Sequence, residues 1–134
     1  MPDVTIDWVG VIVATLAAMV LGALWYGPLF GERWVALMGK SREELQANMG
    51  IGYGLALVGA FILSIVMTYV TQWGVAEGFG EGAVVGVVMW AGFVIATQVS
   101  GMVFEGRSWE FIMLVSGNSL LTFLIVGGIV ASFN

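Results

Sequence analysis

The chain has 134 residues, 60% of them apolar and 10% charged, with a mean hydropathy of +1.01. Soluble domains average roughly 25% charged residues, so lipid rather than water is the implied solvent. Cysteine and histidine are both absent, which excludes a disulfide framework and thiolate chemistry and removes the commonest general base, metal ligand and physiological-pH switch. The net charge of -5, nine carboxylates against four cations, is shared among tails and loops and reads as solvated chain ends.

The charges fence off four uncharged runs, residues 8–31, 45–76, 82–104 and 111–134, of 24, 32, 23 and 24 residues. Each is long enough to cross, because a hydrocarbon core about 30 Å thick needs about 20 helical residues. None alternates with the period of two that a membrane β-barrel requires. Lipid cannot satisfy exposed backbone groups, so continuous apolar runs imply helices. The expected fold is all-α: an integral membrane four-helix bundle in a single domain, residues 1–134, with spans near 8–30, 50–73, 82–104 and 109–131. A short interfacial amphipathic helix is expected between the first two spans.

The N-terminal MPDVTIDW has no basic region, and the first apolar run lacks a small-residue cleavage pattern. It therefore reads as a retained helix rather than a signal peptide. Trp8 marks one interface of this helix and the Trp25-Tyr26 pair approaches the other, as amphipathic rings prefer headgroup depth. Ala14, Ala18 and Gly22 recur every fourth residue, a stripe that lets another helix come close. Pro28 disfavours the helical region for Gly27, so the helix is expected to end or kink there.

From Gly31 to Met49 the chain turns amphipathic, with Trp34, Leu37 and Met38 at helical spacing. Gly39 is placed to end this piece, and Ser41-Arg42-Glu43-Glu44 matches a capping box. The second helix is expected to begin at Ser41, enter lipid near Gly50 and run to Trp73. Gly52, Ala56, Ala60, Ser64 and Thr68 form the longest small-residue stripe in the chain, and that face is expected to be the most tightly packed. The third helix opens with Gly82 and Gly86 in GxxxG spacing and later puts Gly92, Ala96 and Ser100 on one face. A short turn, Glu105-Gly106-Arg107-Ser108, then makes the third and fourth helices an antiparallel hairpin.

All four basic residues, Arg33, Lys40, Arg42 and Arg107, lie in the first and third connections. The positive-inside rule predicts a bacterial inner-membrane protein with those connections cytoplasmic and both termini outside. Trp25, Tyr26, Glu105 and Arg107 then form a cytoplasmic-face motif, in which Glu105 and Arg107 read as a loop ion pair.

GALWYGPLFGERW at the end of the first helix, GAVVGVVMWAGF in the third, and EGRSWEFIMLVSGNSLL with a later Gly-Gly in the fourth carry a resemblance over nearly the full length. The chain resembles a family of small bacterial membrane proteins called domain of unknown function 1761. Members often have Pro after the Arg of the third connection and an Asn-Ala-Gly-Tyr-like stretch in the fourth helix. Here Ser108 follows Arg107, and Gly117-Asn118-Ser119 takes the second place. The resemblance implies four helices and carries no activity with it.

Asn118 is the most polar residue at mid-membrane, nine residues or about 14 Å past Trp109. Ser119 and Thr122 neighbour it, Gln98 lies in the third helix, and Ser64 and Thr68 in the second. These six residues form either a polar track or ligand contact inside the bundle, or interhelical hydrogen bonds that fix helix rotation. Trp90 falls well inside a span and either packs on glycines or lines a bound lipid, quinone or pigment; no cofactor is required by any motif.

Enzyme is the weakest class, because no span holds a carboxylate or base and Ser116 and Ser119 have nothing to activate them. The favoured reading is a structural or accessory protein that associates with itself, a larger membrane complex or lipid, without nucleic acid. The alternative is a homo-oligomeric passive channel or transporter around Asn118.

Overall fold

A computed structural model describes residues 3–134, and no strand occurs among them. The first span is α1, Trp8–Leu24, prolonged by a wide turn at Trp25–Leu29. Asp7 caps its start, accepting from the Val9 and Gly10 amides. Pro28 has no N–H to donate and its ring crowds the carbonyl four residues back. The backbone leaves helical geometry at Gly27 (φ -111°, ψ -105°), and Phe30 N–H reaches back five residues to the Trp25 carbonyl, 2.9 Å away. The kink expected at Gly27-Pro28 is present.

The polar connection holds two short helices, α2 (Gly31–Met38) and α3 (Arg42–Ala47). Gly39 ends α2 with φ +69°, a conformation that favours glycine, and Ser41 Oγ accepts from the Glu44 amide to start α3. The second span, α4 (Met49–Trp73), is a separate helix. A continuous helix from Ser41 is therefore corrected: Asn48, at φ -101° and ψ 2°, breaks it. Asn suits such a junction because its short amide competes with the helical ladder.

The third span begins four residues earlier than expected, as α5 (Gly78–Met89), because Glu81 folds back to accept from the Glu77 amide at 2.8 Å. It is also interrupted by a second wide turn, Trp90–Ile95, before α6 (Ala96–Phe104). The fourth, α7 (Trp109–Ser132), starts from Ser108, whose Oγ accepts from the Phe111 amide. Four helical segments, Trp8–Leu29, Met49–Trp73, Gly78–Phe104 and Trp109–Ser132, are long and apolar enough to cross a membrane. The protein is a multi-pass membrane protein.

The bundle is centred on α7, which packs on α1, α4 and α5. Its core lies toward the end that carries the chain termini: Val11, Ala14 and Ala18 of α1, Met67 of α4, and Val126 and Val130 of α7 are all buried. The tightest approach is between α5 and α7. A Cβ on Gly82 would collide with the Gly127 carbonyl oxygen, and one on Gly86 with that of Phe123. The α4 stripe thus does not form the closest packing; Ala60, Ser64 and Thr68 pack, whereas Gly52 and Ala56 are exposed. Toward the basic end α4 draws away from its neighbours, and Gly22, Gly52 and Gly59 each have open space where a Cβ would stand. The extra residue in the turn at Trp90–Ile95 likewise re-aims the third span. Gly82 and Gly86 are buried, but Gly92 within the turn and Ala96 just beyond it are exposed.

Candidate functional site

The six polar residues singled out from the sequence fall into three separate places. On α4, Ser64 and Thr68 are buried near the terminal end of the core. Both hydroxyls donate to carbonyls of their own helix, Ser64 to Ala60 and Thr68 to Ser64, each at 2.8 Å. Thr15 of α1 stands 3.4 Å from Ser64 Oγ while donating to Val11 at 2.7 Å. Such back-bonding satisfies hydroxyls in lipid without a second helix.

On α7, Thr122 donates to the Asn118 carbonyl at 2.8 Å, and Ser119 donates to that of Ser116 at 3.0 Å. Ser119 Oγ also accepts from the Trp90 indole at 2.9 Å, joining α7 to the wide turn of the third span. Trp90 is thus anchored by its N–H rather than merely filling space. Asn118 Nδ2 is buried and has no hydrogen-bond partner among the described residues. Gln98 does not join the group: it is exposed on α6.

The turn of α7 before Asn118 is roofed by Trp25. A Cβ on Gly117 would lie 3.2 Å from the Trp25 ring, and the indole donates to the Leu114 carbonyl at 3.2 Å. Phe30 packs on Trp25 with ring centroids 4.7 Å apart, and Trp34 of α2 packs on Tyr26 at 5.2 Å. Arg33 of α2 then forms a two-pronged ion pair with Glu110 at the start of α7. The Glu110 carboxylate, through its hydrogen bond and then its charge, holds the Arg33 guanidinium above its ordinary value. Glu105 and Arg107 make the expected loop contact at 3.5 Å, and Arg107 also lies 4.7 Å over the Phe111 ring. The basic end is therefore held by Trp25 and Arg33 docking onto α7, with Tyr26 packed on Trp34 of α2 between them. The Arg33–Glu110 pairing is invisible in sequence because 77 positions separate its members.

The opposite end has a network that sequence reasoning missed. Gln72 Oε1 accepts from the Thr5 amide at 3.0 Å, and its Nε2 donates to the Thr5 carbonyl at 2.7 Å and to Asn134 at 3.2 Å. Asn134 in turn donates to Thr71 Oγ1 and the Ala76 carbonyl, both at 3.2 Å. An open cleft of about 630 Å³ lies beside this network, with Asp3, Asp7, Glu77, Trp8 and Phe133 in its wall. No group of His, Cys, Asp and Glu suited to a metal ion occurs among the described residues.

Of the small-residue positions, Ala14, Ala18, Gly82 and Gly86 are buried in helix contacts, and Ala60 and Gly22 are half-buried. Gly52, Ala56, Gly92 and Ala96 are exposed. Gly127, absent from the expected stripes, provides the α7 side of the closest contact; its only sequence signal was the Gly-Gly pair inside an apolar run.

Searches of curated proteins and of solved structures returned no match to the chain. A family model does match, over residues 9–131, and its description is that of a protein of unknown function. With GALWYGPLFGERW forming the kinked, docked corner and nearly all of the bundle inside the matched region, the chain belongs to the DUF1761 family.

Proposed function

We propose that this is a small structural or accessory membrane protein that acts by association, with a second copy or a larger membrane complex, rather than by catalysis. The observation that carries the reading is the contrast between covered and uncovered glycines. Gly82, Gly86 and Gly127 are used for close approach within the chain, whereas Gly52, Ala56, Gly92 and Ala96 face outward at membrane depth. A glycine in a helix interior costs up to about 1 kcal/mol relative to alanine and offers lipid no side chain to touch. Close approach of another helix is the physical use for such a face. Under the same reading the protein sits in a bacterial inner membrane with α2, α3 and the Glu105–Ser108 turn on the cytoplasmic side, as the placement of its four cations favours.

The test is extraction into nanodiscs followed by native mass spectrometry. Assemblies of two or more chains are expected, with lipid retained. A population made up only of monomers would overturn the association reading. A second reading, a homo-oligomeric passive channel, is favoured by one observation, the unpaired buried donor of Asn118. It predicts that Asn118→Leu lowers solute flux into liposomes carrying the protein, and it fails if those liposomes leak no faster than empty ones.

A further inference from the structure

Gln98 lies six residues before the end of α6, about 9 Å inside the span at 1.5 Å per residue. It is exposed, and its side-chain amide makes no hydrogen bond among the described residues. Its neighbour Thr97 is also exposed, but that hydroxyl donates to the Phe93 carbonyl at 2.5 Å and is satisfied within its own helix. A free amide in hydrocarbon has no such outlet, and its donors and acceptor go unmet unless another protein group supplies them. The described residues supply none, since beyond the wide turn at Trp90–Ile95 the α6 segment packs substantially on no other helix.

The chemistry of the amide selects the partner. Glutamine carries both a donor and an acceptor, so two identical side chains facing each other across a two-fold axis satisfy one another. One turn further along the same face is Gly101, exposed and with open space where a Cβ would stand, which removes the steric obstacle to a second helix. The basic residues all lie at one end of the bundle, so two copies insert in the same sense and their α6 segments run parallel. We propose that α6 is the self-association face of this protein, with the Gln98 amides of two copies hydrogen-bonded to each other about an axis normal to the membrane. This rests on the association reading above and names its partner, a second copy, and its contact.

The chain has no cysteine, so single cysteines report cleanly. Gly101→Cys, on the Gln98 face, is expected to form a disulfide-linked dimer on mild oxidation in membranes. Val103→Cys, exposed on the other side of the same turn, is expected to cross-link at least about fivefold more slowly, as the helical repeat separates the two positions. In the Gly101→Cys background, Gln98→Leu is expected to cut the cross-linking about tenfold, while Gln98→Asn, which keeps an amide, retains most of it. Leucine at an exposed lipid position leaves the fold intact, and native mass spectrometry of Gln98→Leu checks the assembly directly. Equal cross-linking at the two positions, or a dimer indifferent to Gln98→Leu, overturns the α6 face while leaving association standing. A complex with a different chain and no second copy does the same, whereas monomers alone overturn both.

Discussion

Gly82 and Gly52 are the same residue in the same solvent, yet a methyl group added to the first would strike the Gly127 carbonyl and one added to the second would touch nothing. The difference runs through the whole molecule. At the terminal end, α1, α4 and α7 share a core of Val11, Met67, Val126 and Val130, against which Val85 of α5 packs. There Gln72 and Asn134 tie the N-terminal segment, the end of α4 and the end of α7 together. At the basic end α4 and α6 diverge, and the Trp25–Arg33 corner holds to α7. One half of the bundle is built for its own stability, and the other presents surface. Small residues therefore have no fixed meaning in a membrane helix; what they do depends on whether a neighbouring backbone is there to use the space.

The sharpest way to break this comparison is a matched pair of substitutions. Gly82→Val is expected to destabilise the protein by about 3 kcal/mol or more, because its neighbour is backbone and cannot move aside. Gly52→Val should change stability by less than about 1 kcal/mol. Steric-trapping unfolding in bicelles measures both, and similar losses would mean that the two ends are equally packed. Next in size is Met67→Ala, which empties a fully buried site and is expected to cost about 2–4 kcal/mol. Leu55→Ala, at a position 68% exposed, should be near neutral in the same measurement.

A smaller effect belongs to the junction between the ends. Trp90→Phe removes the indole donor to Ser119 and should cost about 1 kcal/mol. The value is modest because Ser119 keeps its own bond to the Ser116 carbonyl. A double-mutant cycle with Ser119→Ala isolates that term. The smallest effect is expected at Arg33 and Glu110, whose pairing is exposed to solvent. Its coupling, read from a charge-swap cycle, should fade as salt rises and return when Arg33→Glu is combined with Glu110→Arg. A coupling indifferent to salt would mean that the basic corner is drier than its exposure indicates.

Several residues were legible from the sequence at the level of role. Pro28 announced the kink, Gly39 and Ser41 the stop and start around α2 and α3, and Gly82 with Gly86 a close helix approach. Others were legible only as residue types. Asn118 and Gln98 looked like members of one polar group, but one is largely covered by the bundle and the other is exposed on α6. Gln72 gave no signal at all, since a glutamine near the end of an apolar run is ordinary, and its partners Thr5 and Asn134 lie more than 60 positions away.

The sequence by itself determined the solvent, the four spans and the local punctuation of the backbone. Hydrocarbon thickness, proline geometry and helix caps act on contiguous residues, and contiguous residues are what a sequence displays. The tertiary structure decided which glycines meet a backbone, which indole finds an acceptor and which amide is left exposed. Those outcomes depend on helix rotation, and the wide turn at Trp90–Ile95 changes the direction of every side chain after it. No apolar run records that rotation, because leucine, valine and isoleucine suit lipid equally well on any face.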